Sequence, residues 1–244
     1  MKKALILTII LLGGATGVYF YKQSRSEVFN NTSPTEEQAE KTPITITSKE
    51  IRDDNFTGSE PVIVGEGKLA DAAREYVTNS VAQFRAQANA EVPAIREDWG
   101  EDSPAGSYAI EIGATTTEGE KTRSIVVTEY IYSGGAHGSS SYKVFTASKE
   151  GGELLSLSDM IKDDKQIAFT ELVKEKLNVW RPAGSETAVV FPDDVAGLSF
   201  EMLSNWAIDG DNFILYFSQY EVGPGVLGAF PFPIPLWELS EFLL

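Results

Sequence analysis

The 244-residue sequence contains no cysteine and only one histidine, His137. Without cysteine there can be no disulfide, no thiolate nucleophile and no cysteine-bound metal. Zinc sites usually need several nitrogen or sulfur ligands, so one histidine is too few, and we expect neither a metal nor another cofactor. Serine-type catalysis would depend on His137 alone as its base. We therefore expect that the chain is not an enzyme.

Basic residues are also scarce. The chain has 20 Lys and Arg against 36 Asp and Glu, which gives a formal net charge of -16. Lys2, Lys3, Lys22 and Arg25 precede the first acidic residue, Glu27, so the remainder is more acidic still. Such a charge argues against binding nucleic acid phosphates or an anionic membrane surface, and a cationic partner fits it better.

Charge is absent from Ala4 to Tyr21, a segment long enough to cross a bilayer as a helix. A cleaved signal peptide is the alternative, but Ala15-Thr16-Gly17 matches the usual cleavage site only loosely. Aromatic residues at 19–21 followed by Lys22 resemble an interfacial belt and favour an uncleaved membrane anchor.

This anchor predicts a single-pass protein of the cell membrane. The basic end, residues 1–3, is expected in the cytoplasm and everything after Lys22 outside it. Residues 22–43 are polar and low in large apolar groups, which predicts a flexible linker.

Hydrophobic periodicity predicts an α+β fold, with antiparallel sheets packed against two main helices and room for two subdomains. The helices are expected at Lys68–Ala90 and Asp164–Trp180, with a loop pinned by Trp99 over 91–107 and a short helix in the tail. Strands are expected near Ile44, Val62, Ser107, Thr122 and Ser141, and in a hairpin around Asp209-Gly210. Gly119 is expected to supply a positive φ between the strands from Ser107 and Thr122.

Two segments are candidates for function. The first is YSGGAHG, where Gly134, Gly135 and Gly138 permit a sharp turn and His137 most simply hydrogen-bonds a neighbouring carbonyl. The second is YFSQYEVGPGVLGAFPFPIP, which has two readings. It is either an edge hairpin with a rigid loop, or an exposed platform for a sugar or protein, formed by Tyr216, Tyr220, Phe230 and Phe232.

Together YSGGAHG and YFSQYEVGPGVLG resemble the extracytoplasmic domain of lysozyme-sensing anti-sigma factors of the RsiV type. That domain is similar to the non-catalytic amino-terminal region of peptidoglycan deacetylases of the PdaC type. The resemblance implies a deacetylase-associated subdomain at 44–133 and an RsiV-like subdomain at 134–244. It also implies a non-catalytic binding or sensor module for a cell-wall-related ligand, either a lysozyme-like cationic protein or a peptidoglycan glycan.

From these motifs we expect binding residues at the positions Tyr132, Gly134, Gly135, His137, Tyr216, Tyr220 and Glu221. Because only three residues precede the predicted span, sigma-factor binding is not expected. Deacetylase activity is not expected either, since the metal-binding histidines of a catalytic domain are missing. The alternative is a cell-wall hydrolase or esterase that uses acidic residues with His137 as base.

Overall fold

A computed structural model describes residues 43–101, 103–182 and 189–244. The predicted cytoplasmic end, the predicted membrane segment 4–21 and the linker up to residue 42 lie outside this part of the chain. None of the described helices combines the length and the apolar character needed to span a membrane.

The first sheet has five strands in the order in which they occur along the chain. Their bounds are β1 Thr45–Arg52, β2 Phe56–Val64, β3 Tyr108–Glu118, β4 Thr122–Ser133 and β5 Ser139–Ser148. Neighbouring strands are antiparallel except β2 and β3, which run parallel over a short stretch. A parallel pair needs a long crossover, and helix α1, Lys68–Trp99, supplies it.

Helix α1 covers one face of this sheet. Its buried stripe includes Ala73, Val77 and Phe84, at the spacing the sequence predicts. Alternate residues of β3 are buried beneath it, and the aromatic ring of Phe84 meets Phe56 edge to face, with 5.2 Å between centroids. The intervening residues of β3 therefore point to the opposite face of the sheet.

The prediction that 91–107 is a loop is wrong for its first part, because α1 continues through Pro93 to Trp99. Two tertiary contacts favour the extra turns. Val92 is fully buried, and Arg96 donates hydrogen bonds to Asn55 Oδ1 (3.2 Å) and Asp54 O (3.1 Å) between β1 and β2. Trp99 does not pin this segment down, since its side chain is 76% exposed.

Gly119 is required for space, not for a positive φ. It is not among the glycines with positive φ, so that prediction is wrong. A Cβ at this position would lie 2.6 Å from Ile208 Cγ2. The turn between β3 and β4 thus passes too close to the second sheet for any side chain at this point.

The second sheet is antiparallel and has the order β6-β7-β8. Its strands are Trp206–Asp209, Asn212–Phe217 and Phe230–Pro235, and it packs with helix α2, Gln166–Val179, and the short α3, Pro192–Ala196. The predicted Asp209-Gly210 hairpin is confirmed, with Gly210 at φ 54°. In the tail, FPFPIP forms β8, and in place of the predicted short helix the chain makes a 3-10 turn over Leu236–Leu239. The α+β class with two main helices is confirmed.

The second sheet covers one end of the open face of the first. Val126 and Val144 are buried there against Ala207 and Tyr216. The contact continues to Tyr142, whose ring lies 5.0 Å from that of Tyr216, whereas Thr128, Tyr130 and Glu111 on the same face are exposed. The molecule therefore presents a partly covered β-sheet surface opposite α1.

Candidate functional site

The uncovered part of the sheet carries one continuous row of residues across all five strands. Cα pairing places Glu50, Ser59, Glu111, Tyr130 and Ser140 side by side from β1 to β5. Neighbouring strands lie ~4.8 Å apart, so the row spans about 19 Å. Because Ile110 and Ile112 face α1, the row containing Glu111 faces away from it.

We call the depression along this row the sheet groove. Its part over β3 to β5 encloses about 550 Å³. The floor and walls of this part include most of the row together with Ser48, Gly113, Thr128, Tyr142, Gly228 and Ala229. A second depression of about 640 Å³ continues it toward β1 and shares Ser59 and Glu111 with it. The groove is lined mainly by hydroxyl groups and two tyrosine rings, with the carboxylate of Glu111 at its centre and the charged residues Glu50 and Arg52 at one end. Such a surface suits an elongated polar ligand.

Glu111 is the one member of the row whose charge is uncompensated. Its side chain is exposed, and it makes no ion pair with another residue in the described ranges. Glu50 at the end of the row pairs with Arg52 at 3.0 Å. Glu129, next to Tyr130 in sequence, instead accepts a hydrogen bond from Tyr76 of α1 on the other face.

The rim of the groove is the loop 218–229, which is attached to the edge strand β5 by side-chain amide and hydroxyl groups. Gln219 N donates to Ser140 O and Gln219 Oε1 accepts from Ser140 N, both at 2.9 Å. Ser218 Oγ accepts from Tyr142 N at 3.3 Å. An open sheet edge is thereby closed without another strand.

The structure brings His137 and Tyr220 together from the two sequence motifs. His137 Nδ1 lies 2.9 Å from Gly138 O, as the turn interpretation predicts, and Nε2 lies 3.1 Å from the Tyr220 hydroxyl. Tyr220 holds a positive φ of 68° and packs its ring over Gly225. Both ring nitrogens thus face groups other than a carboxylate, and the contact serves to fix the loop beside the groove.

The other predicted binding residues do not all lie at one place in the structure. Gly134 packs its Cα against Ala105 O, and Gly135 has open space around it. Tyr132 lies beside the sheet groove, above a separate depression of about 560 Å³ that also includes Arg96 and Asp54. Gly134 and Gly135 thus belong to the turn that carries His137, whereas Tyr132 lines a depression that contains neither His137 nor Tyr220.

Of the two readings of the second segment, the exposed aromatic platform is wrong. Tyr216, Phe230 and Phe232 are only 8%, 7% and 3% exposed, and Tyr220 is the one exposed member at 54%. Phe230 stacks on Trp180 at 4.5 Å, so these rings form the core beneath β8 instead of an outer surface. Burial raises the pKa of Tyr216 to about 12.

Glu221 lies in the turn that follows Tyr220. Its Oε2 accepts a hydrogen bond of 2.7 Å from Ser218 N, which fixes the start of the loop. Burial raises the pKa of the Glu221 carboxyl, and the hydrogen bond from Ser218 offsets part of that rise. Its role here is to shape the rim.

Sequence reasoning missed the groove residues Ser59, Glu111, Tyr130, Ser140 and Tyr142. One signal was available: in β3, Glu111 alternates with buried Ile110 and Ile112, which marks a polar position on the face opposite the core. Among the described residues no three His, Asp or Glu side chains cluster in a way that could hold a metal ion.

Comparisons with known proteins divide the chain into two parts. Residues 48–140 match the family model described as Deacetylase PdaC, and residues 158–236 match the model described as Protein of unknown function (DUF3298). The chain is 25% identical over 233 residues to the peptidoglycan-N-acetylmuramic acid deacetylase PdaC of Bacillus subtilis strain 168. That alignment covers 91% of this chain and 46% of the relative, so the chain spans about half of the relative's length.

A solved structure supports the fold. A DUF3298 family member from Bacteroides fragilis superposes with a TM-score of 0.56 at 16% identity, over 84% of this chain and 93% of that one. The predicted resemblance to PdaC-type deacetylases is confirmed as a sequence similarity, and the resemblance to RsiV stays a prediction. In sequence the chain is therefore similar to a PdaC deacetylase and to the DUF3298 family, and in fold to a DUF3298 protein.

Proposed function

We propose that this protein is a non-catalytic module that binds a peptidoglycan glycan strand in the sheet groove. The observation that carries the proposal is the row of Glu50, Ser59, Glu111, Tyr130 and Ser140 on an uncovered sheet face. A polysaccharide is long, rich in hydroxyl groups and apolar on its ring faces. Hydroxyl side chains and tyrosine rings along a shallow groove complement both properties.

The similarity to PdaC supports the cell wall as the source of the ligand. That relative is named as a deacetylase of N-acetylmuramic acid in peptidoglycan, and this chain aligns with part of it. A segment of such an enzyme that binds the same polymer would hold the protein on its substrate. The proposed role of this chain is to bind the glycan without deacetylating it.

The proposed location is the outer side of the cell membrane. The uncharged segment Ala4–Tyr21, with two lysines before it and aromatic residues and Lys22 after it, supports a membrane anchor with the basic end inside. Glycan strands of the wall would then lie within reach of the sheet groove.

Replacing Tyr130 by Ala tests this function. Tyr130 occupies the row and is 38% exposed, so its ring is available to a sugar. Truncating an aromatic side chain at the centre of an interface usually removes a large share of the affinity. We expect Tyr130→Ala to weaken binding at least tenfold, about 1.4 kcal/mol or more. The measurement is isothermal titration with a soluble tetrasaccharide of alternating N-acetylglucosamine and N-acetylmuramic acid.

The matched control is Trp237→Ala, which removes an aromatic side chain that is 76% exposed outside the groove. It should bind the tetrasaccharide within twofold of the unaltered chain. Thermal melting of both variants separates lost contacts from a lost fold, because Tyr130 also packs against Gly138. Equal affinity of Tyr130→Ala and the unaltered chain would show that the glycan does not use the groove.

A second candidate is a lysozyme-like cationic protein as the ligand, which the net charge of -16 favours. Binding of this kind depends on long-range attraction and falls steeply with ionic strength. The test is a titration with a basic lysozyme. Lysozyme binding that weakens with salt and is unaffected by Tyr130→Ala, in a protein that does not bind the tetrasaccharide, would favour this candidate over the first.

A further inference from the structure

The central position of the sheet groove has a specific electrostatic character. Glu111 lies at the middle strand of the row, between Ser59 on β2 and Tyr130 on β4. Its exposed carboxylate makes no ion pair within the described ranges. Arg52 lines the same depression but pairs with Glu50, and Asp53 pairs with Arg85, each at 3.0 Å. The centre of the groove thus carries the carboxylate of Glu111 without an ion pair, whereas Glu50 at its end is paired and Glu129 at its border accepts a hydrogen bond from Tyr76 on the other face.

A fully N-acetylated glycan does not complement this charge. Such a strand presents neutral amides and hydroxyls, so a sugar lying over Glu111 would displace water from a carboxylate without supplying an opposite charge.

A de-N-acetylated glycan does complement it. Removing the acetyl group leaves a primary amine, which is an ammonium ion when protonated and can donate a charge-assisted hydrogen bond to a carboxylate. The hydroxyls of Ser59, beside Glu111, and of Ser140, on β5, remain available for the sugar hydroxyls. An ammonium group above Glu111 therefore offsets the free-energy cost of removing water from the carboxylate. An acetylated sugar at the same place would not.

We infer that the sheet groove prefers a glycan carrying free amino groups over its N-acetylated counterpart, with Glu111 as the residue that distinguishes them. This inference rests on the proposed glycan-binding function and goes further by naming the chemical state of the ligand. It places the protein after a deacetylation reaction, as a binder of the product of that reaction.

The test compares two soluble probes on the full chain at pH 6, where the amines are protonated. One is the tetramer of β-1,4-linked N-acetylglucosamine and the other is the tetramer of β-1,4-linked glucosamine. We expect the glucosamine tetramer to bind at least fivefold more tightly. In Glu111→Gln this preference should fall to less than twofold, with affinity for the acetylated tetramer within twofold of that of the unaltered chain.

The control is Glu120→Gln, which removes one negative charge from the exposed turn between β3 and β4. It should retain the preference for the glucosamine tetramer, because its effect on the groove is only long-range. Equal loss in Glu120→Gln and Glu111→Gln would mean that overall charge is responsible and would overturn the assignment of Glu111. Equal binding of the two tetramers would overturn the inference alone, and binding of neither would overturn the proposed function with it.

Discussion

Gly134→Ala is expected to destabilise the protein by about 3 kcal/mol, which combines strain from a left-handed backbone with overpacking. Gly134 has a φ of 80°, and a Cβ there would lie 2.1 Å from Ala105 O. The clash is with backbone, so no side-chain rotation relieves it. The strand β4 or the segment before β3 has to move, and both border the sheet surface that we propose as the binding site.

Gly135→Ala is the matched comparison one residue later. Its φ is not positive, and the nearest atom to a new Cβ is His137 O at 3.8 Å. This variant should stay within about 0.5 kcal/mol of the unaltered chain. The measurement is urea unfolding followed by fluorescence. A similar loss in the free energy of unfolding for the two variants would contradict the claim that the turn specifically requires glycine at position 134.

Asn205→Ala is expected to have the second large effect, a loss of about 2–4 kcal/mol, because it leaves two part-buried backbone groups without partners. Asn205 Oδ1 accepts a hydrogen bond of 3.1 Å from Val144 N, and Asn205 Nδ2 donates one of 3.2 Å to Tyr142 O. Its own carbonyl accepts from Tyr216 N at 2.9 Å. A single amide therefore joins the edge of β5 to the start of the second sheet.

The exposed Asn178 of α2 provides the control for this change. Asn178→Ala should be neutral or slightly stabilising, since alanine favours the helix more than asparagine does. Chemical unfolding of both variants gives the comparison. A loss below about 0.5 kcal/mol for Asn205→Ala would contradict its role as the link between the sheets.

Local patterns predicted most of the secondary structure. The buried stripe of α1, the strands β3 and β4 and the Asp209-Gly210 turn each depend on residues close in sequence, where hydrophobic period and turn chemistry decide. The end of α1 was missed because Arg96 is held by Asn55 and Asp54, about 40 positions earlier in the chain. A glycine- and proline-rich composition suggested a loop, and tertiary contacts overrode it.

The binding surface was less predictable for the same physical reason. Ser59 and Glu111 become neighbours only because β2 and β3 pair in parallel across α1, and no local pattern reports that pairing. The aromatic residues Phe230 and Phe232 alternate with proline in β8, and alternation identifies one face without saying whether that face meets solvent or core. In the folded protein, the face of β8 that carries Phe230 and Phe232 packs against α2 and Trp180.

The most direct test of the central claim is to locate the glycan on the protein. Titration of the isotope-labelled full chain with the peptidoglycan tetrasaccharide, followed by amide NMR, reports which residues sense it. We predict that the largest shift changes fall on Ser59, Glu111, Tyr130 and Ser140, across four adjacent strands. Changes confined to the outer face of α1 or to the second sheet, or no changes at all, would contradict a glycan-binding groove on this sheet.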